Sequence, residues 1–184
     1  MGQEADAALL ARIRRGDAAA FEELVEQNGR SLYRLALGML GNEADAEDAV
    51  QETLAGAFEG IGRFRGEASI RTWLARILVR QAARVRRKKR SGIGTILRLW
   101  GGQLDEGQHP AGPSPAGQVE RQMDVTAMLQ SLSEEHRAVM VLREFEGMSY
   151  DEMAAALGVP RGTVESRLHR ARQELKRRFE GYGE

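Results

Sequence analysis

The chain has 184 residues, 42% of them hydrophobic and 29% charged, with 27 basic and 27 acidic side chains and no cysteine. This composition excludes a disulfide framework and a thiolate metal site, is too apolar for a disordered chain, and has room for one medium or two small soluble domains. With only three scattered histidines, an imidazole zinc site is not expected, and no cofactor is implied.

The amino-terminal stretch MGQEADAALLARIRR lacks the basic start and long apolar run of a signal peptide. MGQEAD opens like a myristoylation signal, but its sixth residue is Asp where Ser or Thr is expected. No run approaches the roughly 20 apolar residues that would span a bilayer, so a cytoplasmic protein without a transmembrane segment is expected. The zero net charge hides a division. Residues 1–62 hold twelve acids against five arginines, a net −7, whereas residues 63–90 hold eleven basic residues against Glu67 alone, a net +10. Such segregation points to two kinds of partner, one of them polyanionic.

Almost every segment reads as helix. Ala7–Arg15 is short and amphipathic and is closed by Gly16. Asp17 is placed to cap a long helix whose apolar face is Phe21, Leu24, Val25, Leu32, Leu35 and Leu40, with Gly29 as a weak interior point. Asn42 caps the next, whose acidic first turn (Glu43, Asp45, Glu47, Asp48) suits the helix dipole. Val50, Leu54, Ala57, Phe58 and Ile61 are its expected buried side. Ser69 starts a helix with Ile70, Trp73, Leu74, Ile77 and Leu78 inward and its arginines outward, running into the cluster RVRRKKR. Glycines and prolines from Ser91 to about Gly117 mark a flexible linker, interrupted by the apolar island IGTILRLW, either a docking segment or a stray helical turn. Helices are expected again over Gln118–Leu132 and Glu134–Phe145; sustained strand alternation is absent.

The last segment is the most specific. Ser149 and Glu152 have capping-box spacing, so a helix should start at Tyr150, with Met153, Ala154 and Leu157 as its apolar side. Gly158 can end it in the left-handed conformation, and Pro160 fits the first turn of a new helix. Val164, Leu168, Ala171 and Leu175 then recur at spacings of four, three and four, leaving Arg161, Glu165, Ser166, His169, Arg170 and Arg172 outside the buried stripe. The outline is a helix-turn-helix, although an ordinary helical hairpin with solvated arginines has the same pattern. The fold class expected is all-α: two small helical domains, 1–90 and 118–184, joined by the linker 91–117.

Taken in order, these segments resemble the extracytoplasmic-function group of bacterial sigma factors, of the sigma-70 family. LSEEHRAVMVLREFEGMSYDEMAAALGVPRGTVESRLHRARQELK is similar to sigma region 4, and AFEELVEQNGRSLYRLALGMLGNEADAEDAVQETLAGAF with FRGEASIRTWLARIL is similar to region 2. The resemblance implies a subunit that binds core RNA polymerase, directs it to promoter DNA and helps open the duplex, with no catalysis, metal or small-molecule substrate of its own. It places −35 contacts at Glu165, Ser166, Arg167, His169 and Arg170, and phosphate contacts at Arg161 and Thr163. Arg170 and Arg167 can grip guanine or phosphate; Glu165 can accept from cytosine N4 or hold Arg161 or Arg172.

In region 2 the resemblance assigns core-polymerase binding to Asp45, Glu47, Asp48, Gln51 and Glu52, residues that otherwise read as a solvated helix start. It assigns −10 binding and melting to Phe64, Arg65, Arg76, Arg80, Arg84, Arg87 and Lys88, with a flipped base captured in the Phe64–Ser69 loop. Trp73, at helical spacing with Ile70 and Ile77, reads as core rather than as a base-stacking platform. Arg80 and Arg84 stand where the family usually has Asn and Asp, which strengthens phosphate attraction and leaves the reading of individual −10 bases open. An anti-sigma factor, often membrane-anchored in the family, is the further partner implied. Two other roles compete. A stand-alone helix-turn-helix regulator lacks a receiver or ligand domain here, and a protein that only sequesters a partner through its acidic half leaves the +10 segment without a purpose.

Overall fold

In the computed structural model, residues 2–66, 68–100 and 125–179 are described, with side chains described for 6–66, 68–91 and 125–179. Every regular element among them is helical: α1 (Gly2–Arg14), α2 (Ala18–Leu40), α3 (Glu43–Gly60), a 3-10 turn (Ile61–Arg63), α4 (Ile70–Trp100), a helical stretch at 125–130 (α5), α6 (Glu134–Glu144), α7 (Tyr150–Leu157) and α8 (Arg161–Phe179).

The helix starts follow the capping residues. Asp17 accepts from the Ala20 N–H at 3.2 Å, Asn42 from Asp45 at 2.8 Å, and Ser69 from Thr72 at 3.1 Å. Each satisfies an amide that has no partner inside its helix. Asp6, from α1, adds a bond to the Ile70 N–H at 3.2 Å, fastening α1 to the start of α4. α4 itself runs to Trp100, past residue 90 where the sequence suggests a linker. The side chains of IGTILRLW, the rest of the linker from residue 101 and the start of the Gln118–Leu132 helix lie outside the described residues.

Helices α2, α3 and α4 pack on one another with α1 against α2, and α6, α7 and α8 make a second, smaller cluster. The first is filled by Leu24, Leu35, Leu74 and Leu78 and the second by Val139, Leu142, Met153, Val164 and Leu168, all essentially inaccessible. At about 1.5–3 kcal/mol per fully buried aliphatic side chain, these two groups dominate the stability of their clusters.

One expected core residue is misplaced. α3 buries Ala46, Ala49, Thr53 and Ala57, while Phe58 is 65% exposed and Val50 and Leu54 are only half-buried. The small residues let α3 lie close against its neighbours, which rotates the helix and turns Phe58 outward. There its ring meets Phe21 edge-on, with centroids 5.1 Å apart.

The clusters touch. α2 packs on α6 and α4 on α7. Gly38 permits the first contact: a Cβ there would lie 2.9 Å from the Phe145 ring and 3.0 Å from a Val141 methyl. Arg137 reinforces it from a buried site. Its guanidinium donates to the carbonyls of Leu129 (2.8 Å), Gln130 (2.9 Å), Leu132 (2.8 Å) and, across in α2, Met39 (3.1 Å). Burial first, then the charge of Arg86, pulls the Arg137 pKa down to about 10, so it stays cationic and fully engaged at neutral pH.

Candidate nucleic-acid and polymerase interface

The α7–α8 pair is built by its caps. Ser149 and Glu152 form the reciprocal capping box, with the Ser149 N–H and hydroxyl donating to the Glu152 carboxylate at 2.8 Å each. These two bonds outweigh burial and lower the Glu152 pKa, with help from Thr72 and Arg71. Gly158 then turns the chain at φ 67°, a left-handed value that a side-chain-bearing residue adopts at a cost, and α8 begins after Pro160. Val164, Leu168 and Ala171 are buried and Leu175 half-buried, so the stripe expected from the sequence fixes which face of α8 looks outward.

On that outward face most cations are already engaged. Arg161 pairs with Glu165 at 2.9 Å and Asp151 at 3.2 Å, and its guanidinium lies 5.8 Å from the centre of the Tyr150 ring. Glu165 and then Asp151 raise its pKa. Glu165 thus holds Arg161 in the free chain. Arg167 is turned toward α6 and meets Glu135 at 2.8 Å, while Arg172 meets Glu144 at 3.0 Å. Thr163 is half-buried, with its carbonyl accepting from the Ser166 hydroxyl at 3.0 Å. His169 and Arg170 are exposed with no partner among the described residues.

On α4 the pattern is different. Arg76, Arg80, Arg84 and Arg87 follow at spacings of four, four and three, all exposed, with exposed Lys88 beside them; none meets an acid among the described residues. Arg65 is exposed in the preceding loop, whose Glu67 lies outside the described residues. Phe64 is buried, stacked on Trp73 with ring centroids 4.8 Å apart, and its carbonyl accepts from Arg14. Phe64 and Trp73 therefore floor the loop rather than offering a free aromatic face.

The acidic start of α3 presents Glu47, Asp48, Gln51 and Glu52 to solvent, the last three on one helical face. Asp45 is half-buried. Burial works against its ionisation, but Asn42 and the Lys89 ammonium outweigh that and lower its pKa. Lys89 pairs directly with the Asp45 carboxylate, so one α4 cation braces the acidic face instead of facing outward. Exposed Phe58, two helical turns after Gln51, extends the same surface, although its helical spacing with Leu54 and Ile61 predicts a core position.

An open cationic stripe, a helix-turn-helix and a separate acidic surface define a DNA-binding protein that also engages a protein partner. The Sigma-70 region 2 family model matches residues 24–92, and the Sigma-70, region 4 model matches residues 122–175. The chain is 34% identical to the RNA polymerase sigma-H factor of Pseudomonas aeruginosa, over 94% of this chain and 93% of that one. It is 36% identical to the ECF RNA polymerase sigma factor SigM of Mycobacterium tuberculosis, over 95% and 85%. Among solved structures, CnrH in complex with the cytosolic domain of CnrY superposes with a TM-score of 0.72 at 29% identity, covering 96% of this chain and 97% of that one. A sigma factor RpoE bound to the anti-sigma factor NepR from Bartonella quintana superposes with a TM-score of 0.61 at 26% identity, covering 85% and 94%.

The chain belongs to the extracytoplasmic-function sigma factors of the sigma-70 family. It is an alternative sigma factor, a promoter-recognition subunit that directs core RNA polymerase to promoter DNA and leaves the chemistry to the polymerase. Among the described residues no group of metal-ligating side chains gathers, and no helix is long and apolar enough to cross a membrane.

Proposed function

We propose that the sigma-factor work is divided among three surfaces: the α3 start for core polymerase, α4 for the −10 element and α8 for the −35 element. Residues 1–90 act as region 2 and residues 118–184 as region 4, with 91–117 connecting them. The observation that carries this division is the stripe of Arg76, Arg80, Arg84 and Arg87, which meets no acid among the described residues, with Lys88 beside it. Four guanidinium groups at helical spacing match a run of backbone phosphates, and each phosphate neutralised releases counterions. Arg65 continues the stripe toward the loop in which Phe64, through its stack on Trp73, shapes the site for an unstacked base.

In α8, His169 and Arg170 read base edges, Ser166 lies beside them, and Arg161 and Thr163 hold phosphate at the helix start. Glu165 and Arg167 act at this surface after exchanging their present partners, Arg161 and Glu135, for DNA. Asp48, Gln51 and Glu52, with Glu47 and Asp45 beside them, bind core polymerase in the cytoplasm. Because CnrH and RpoE, both similar over most of this chain, are described in complexes with CnrY and the anti-sigma factor NepR, an anti-sigma factor is the expected further partner.

Charge reversal tests the division directly. Asp48→Lys with Glu52→Lys should weaken binding to core polymerase and leave the helical far-UV circular dichroism and the DNA affinity unchanged. Unaltered polymerase affinity would remove this face from the assignment.

A further inference from the structure

The arginines of α1 belong to none of the three surfaces above. Residues 1–62 carry five arginines, and three of them, Arg12, Arg14 and Arg15, stand together where α1 ends. Arg12 is held by Asp17 at 2.9 Å and Glu23 at 2.7 Å. Arg14 and Arg15 are exposed and meet no acid among the described residues. The helix dipole favours cations in a last turn, which accounts for Arg12 and Arg14 taken alone. It does not account for what they meet.

α1 packs on the 3-10 turn that leads into the Phe64–Ser69 loop. Its Leu9, Leu10 and Ile13 belong to the same buried core as Ile61 and Phe64, and Arg14 donates to the Phe64 carbonyl. Arg63 and Arg65 flank Phe64 in the chain, and both are exposed without an acid partner among the described residues. Arg14, Arg15, Arg63 and Arg65 therefore gather at one end of the loop. A guanidinium has five N–H donors, so the Phe64 carbonyl leaves Arg14 able to bind an anion as well. Gathered cations repel one another, and a polyanion relieves that repulsion. The open row on α4 follows on the other side of the loop in chain order.

We propose that Arg14, Arg15 and Arg63, with Arg65, form a second nucleic-acid contact, which takes the phosphates of single-stranded DNA next to the base captured in the Phe64–Ser69 loop. The inference rests on the −10 reading of that loop given above. A strand with a base out of the stack is unpaired at that point, so the backbone that continues past the loop reaches the patch as a single strand. Cationic grooves grip such a strand whatever its sequence. The two sides of the loop then differ in task. The α4 row engages paired and unpaired DNA alike, whereas the α1 patch gains its ligand only once the strands separate. It thereby favours the opened promoter over the closed one.

Arg15→Gln with Arg63→Gln tests this while leaving the Arg14–Phe64 bond in place. The probes are a fluorescein-labelled oligothymidine of about 20 nucleotides and a fully paired duplex of the same length, titrated against the chain by anisotropy at several salt concentrations. On oligothymidine the dependence of log affinity on log salt should flatten by about 1.4, at roughly 0.7 per phosphate, and on the duplex it should keep the parent value. Arg15→Lys with Arg63→Lys should keep the parent slope on both probes, because the patch acts through charge. An unchanged oligothymidine slope in the folded Gln variant, an equal loss on the duplex, or a parent chain that ignores oligothymidine overturns the inference. So does lost co-migration with core polymerase at unaltered oligothymidine affinity, which would make the patch a contact for an acidic protein surface. Failure of the −10 reading itself would appear elsewhere: replacing Arg76, Arg80, Arg84 and Arg87 together by alanine would then leave the affinity for both probes at the parent value.

Discussion

α4 and α8 both carry many arginines, some paired and some open, and they differ in where the open ones stand. On α4, Arg71, Arg86, Lys89 and Arg90 meet acids, but Arg76, Arg80, Arg84 and Arg87 stand in one row that meets no acid among the described residues. On α8 Arg161, Arg167, Arg172 and Arg178 are each paired with a carboxylate, from Glu165 and Asp151, Glu135, Glu144 and Glu174 respectively, and of the residues assigned to base reading only His169 and Arg170 are exposed without a partner among the described residues. The open row suits a polyanion whatever its sequence. The braced helix keeps several of its long side chains in defined places, which suits reading a few base edges. Charge content alone would equate the two helices; the continuous open row on α4 separates them.

The largest effect expected from this contrast is on folding. Leu168→Ala removes an inaccessible side chain beneath the recognition helix and should destabilise the C-terminal cluster by about 2–5 kcal/mol. Discrimination among −35 sequences should collapse, while the salt-sensitive attraction of α4 for DNA survives; filter binding at several salt concentrations separates the two. Loss of both together would mean that the halves do not act as distinct readers.

Replacing Arg76, Arg80, Arg84 and Arg87 together by alanine should flatten the dependence of log affinity on log salt by about 3–4, if each gives up one phosphate at roughly 0.9 per contact. The loss should be the same on every sequence. Arg170→Ala should instead cost about 1–3 kcal/mol at a cognate −35 site and much less elsewhere, if the contact is bidentate to guanine. A uniform loss would make Arg170 a phosphate ligand and weaken the distinction between the helices.

The smallest effect tests the cap that aims α8. Ser149→Ala should destabilise the C-terminal cluster by about 1 kcal/mol at neutral pH. The Glu152 carboxyl titrates below its usual 4.5 because Ser149 donates to its ionised form. Its folded pKa is depressed, so the stabilisation is present above the unfolded value and disappears as pH falls through the folded one. The gap between the parent and Ser149→Ala melting curves should therefore narrow as pH falls through the folded Glu152 value and leave the part due to the Glu152 N–H bond to the Ser149 hydroxyl; an unchanged gap would assign the whole effect to that bond.

What the sequence made legible was what neighbouring residues decide. Asp17, Asn42, Ser69 and Ser149 announce helix starts because a cap acts on amides two or three positions away. The stripe Val164, Leu168, Ala171 orients α8 because a helix repeats every 3.6 residues. Phe58 departs from its expected place because periodicity marks an apolar arc about 100° wide and does not say which part of it the neighbours will cover. In α3 the alanines win, since small side chains permit the closest approach. The Arg167–Glu135 pair joins residues thirty-two positions apart, which no local pattern signals. The Glu146–Arg71 and Arg137–Met39 bonds join residues 75 and 98 positions apart, and nothing local in either segment signals them.

The most direct test is whether the purified chain co-migrates with bacterial core RNA polymerase on a sizing column at moderate salt. The expected result is a stable complex that Asp48→Lys with Glu52→Lys dissolves. A chain that is folded and binds DNA, yet elutes apart from the polymerase, would contradict it.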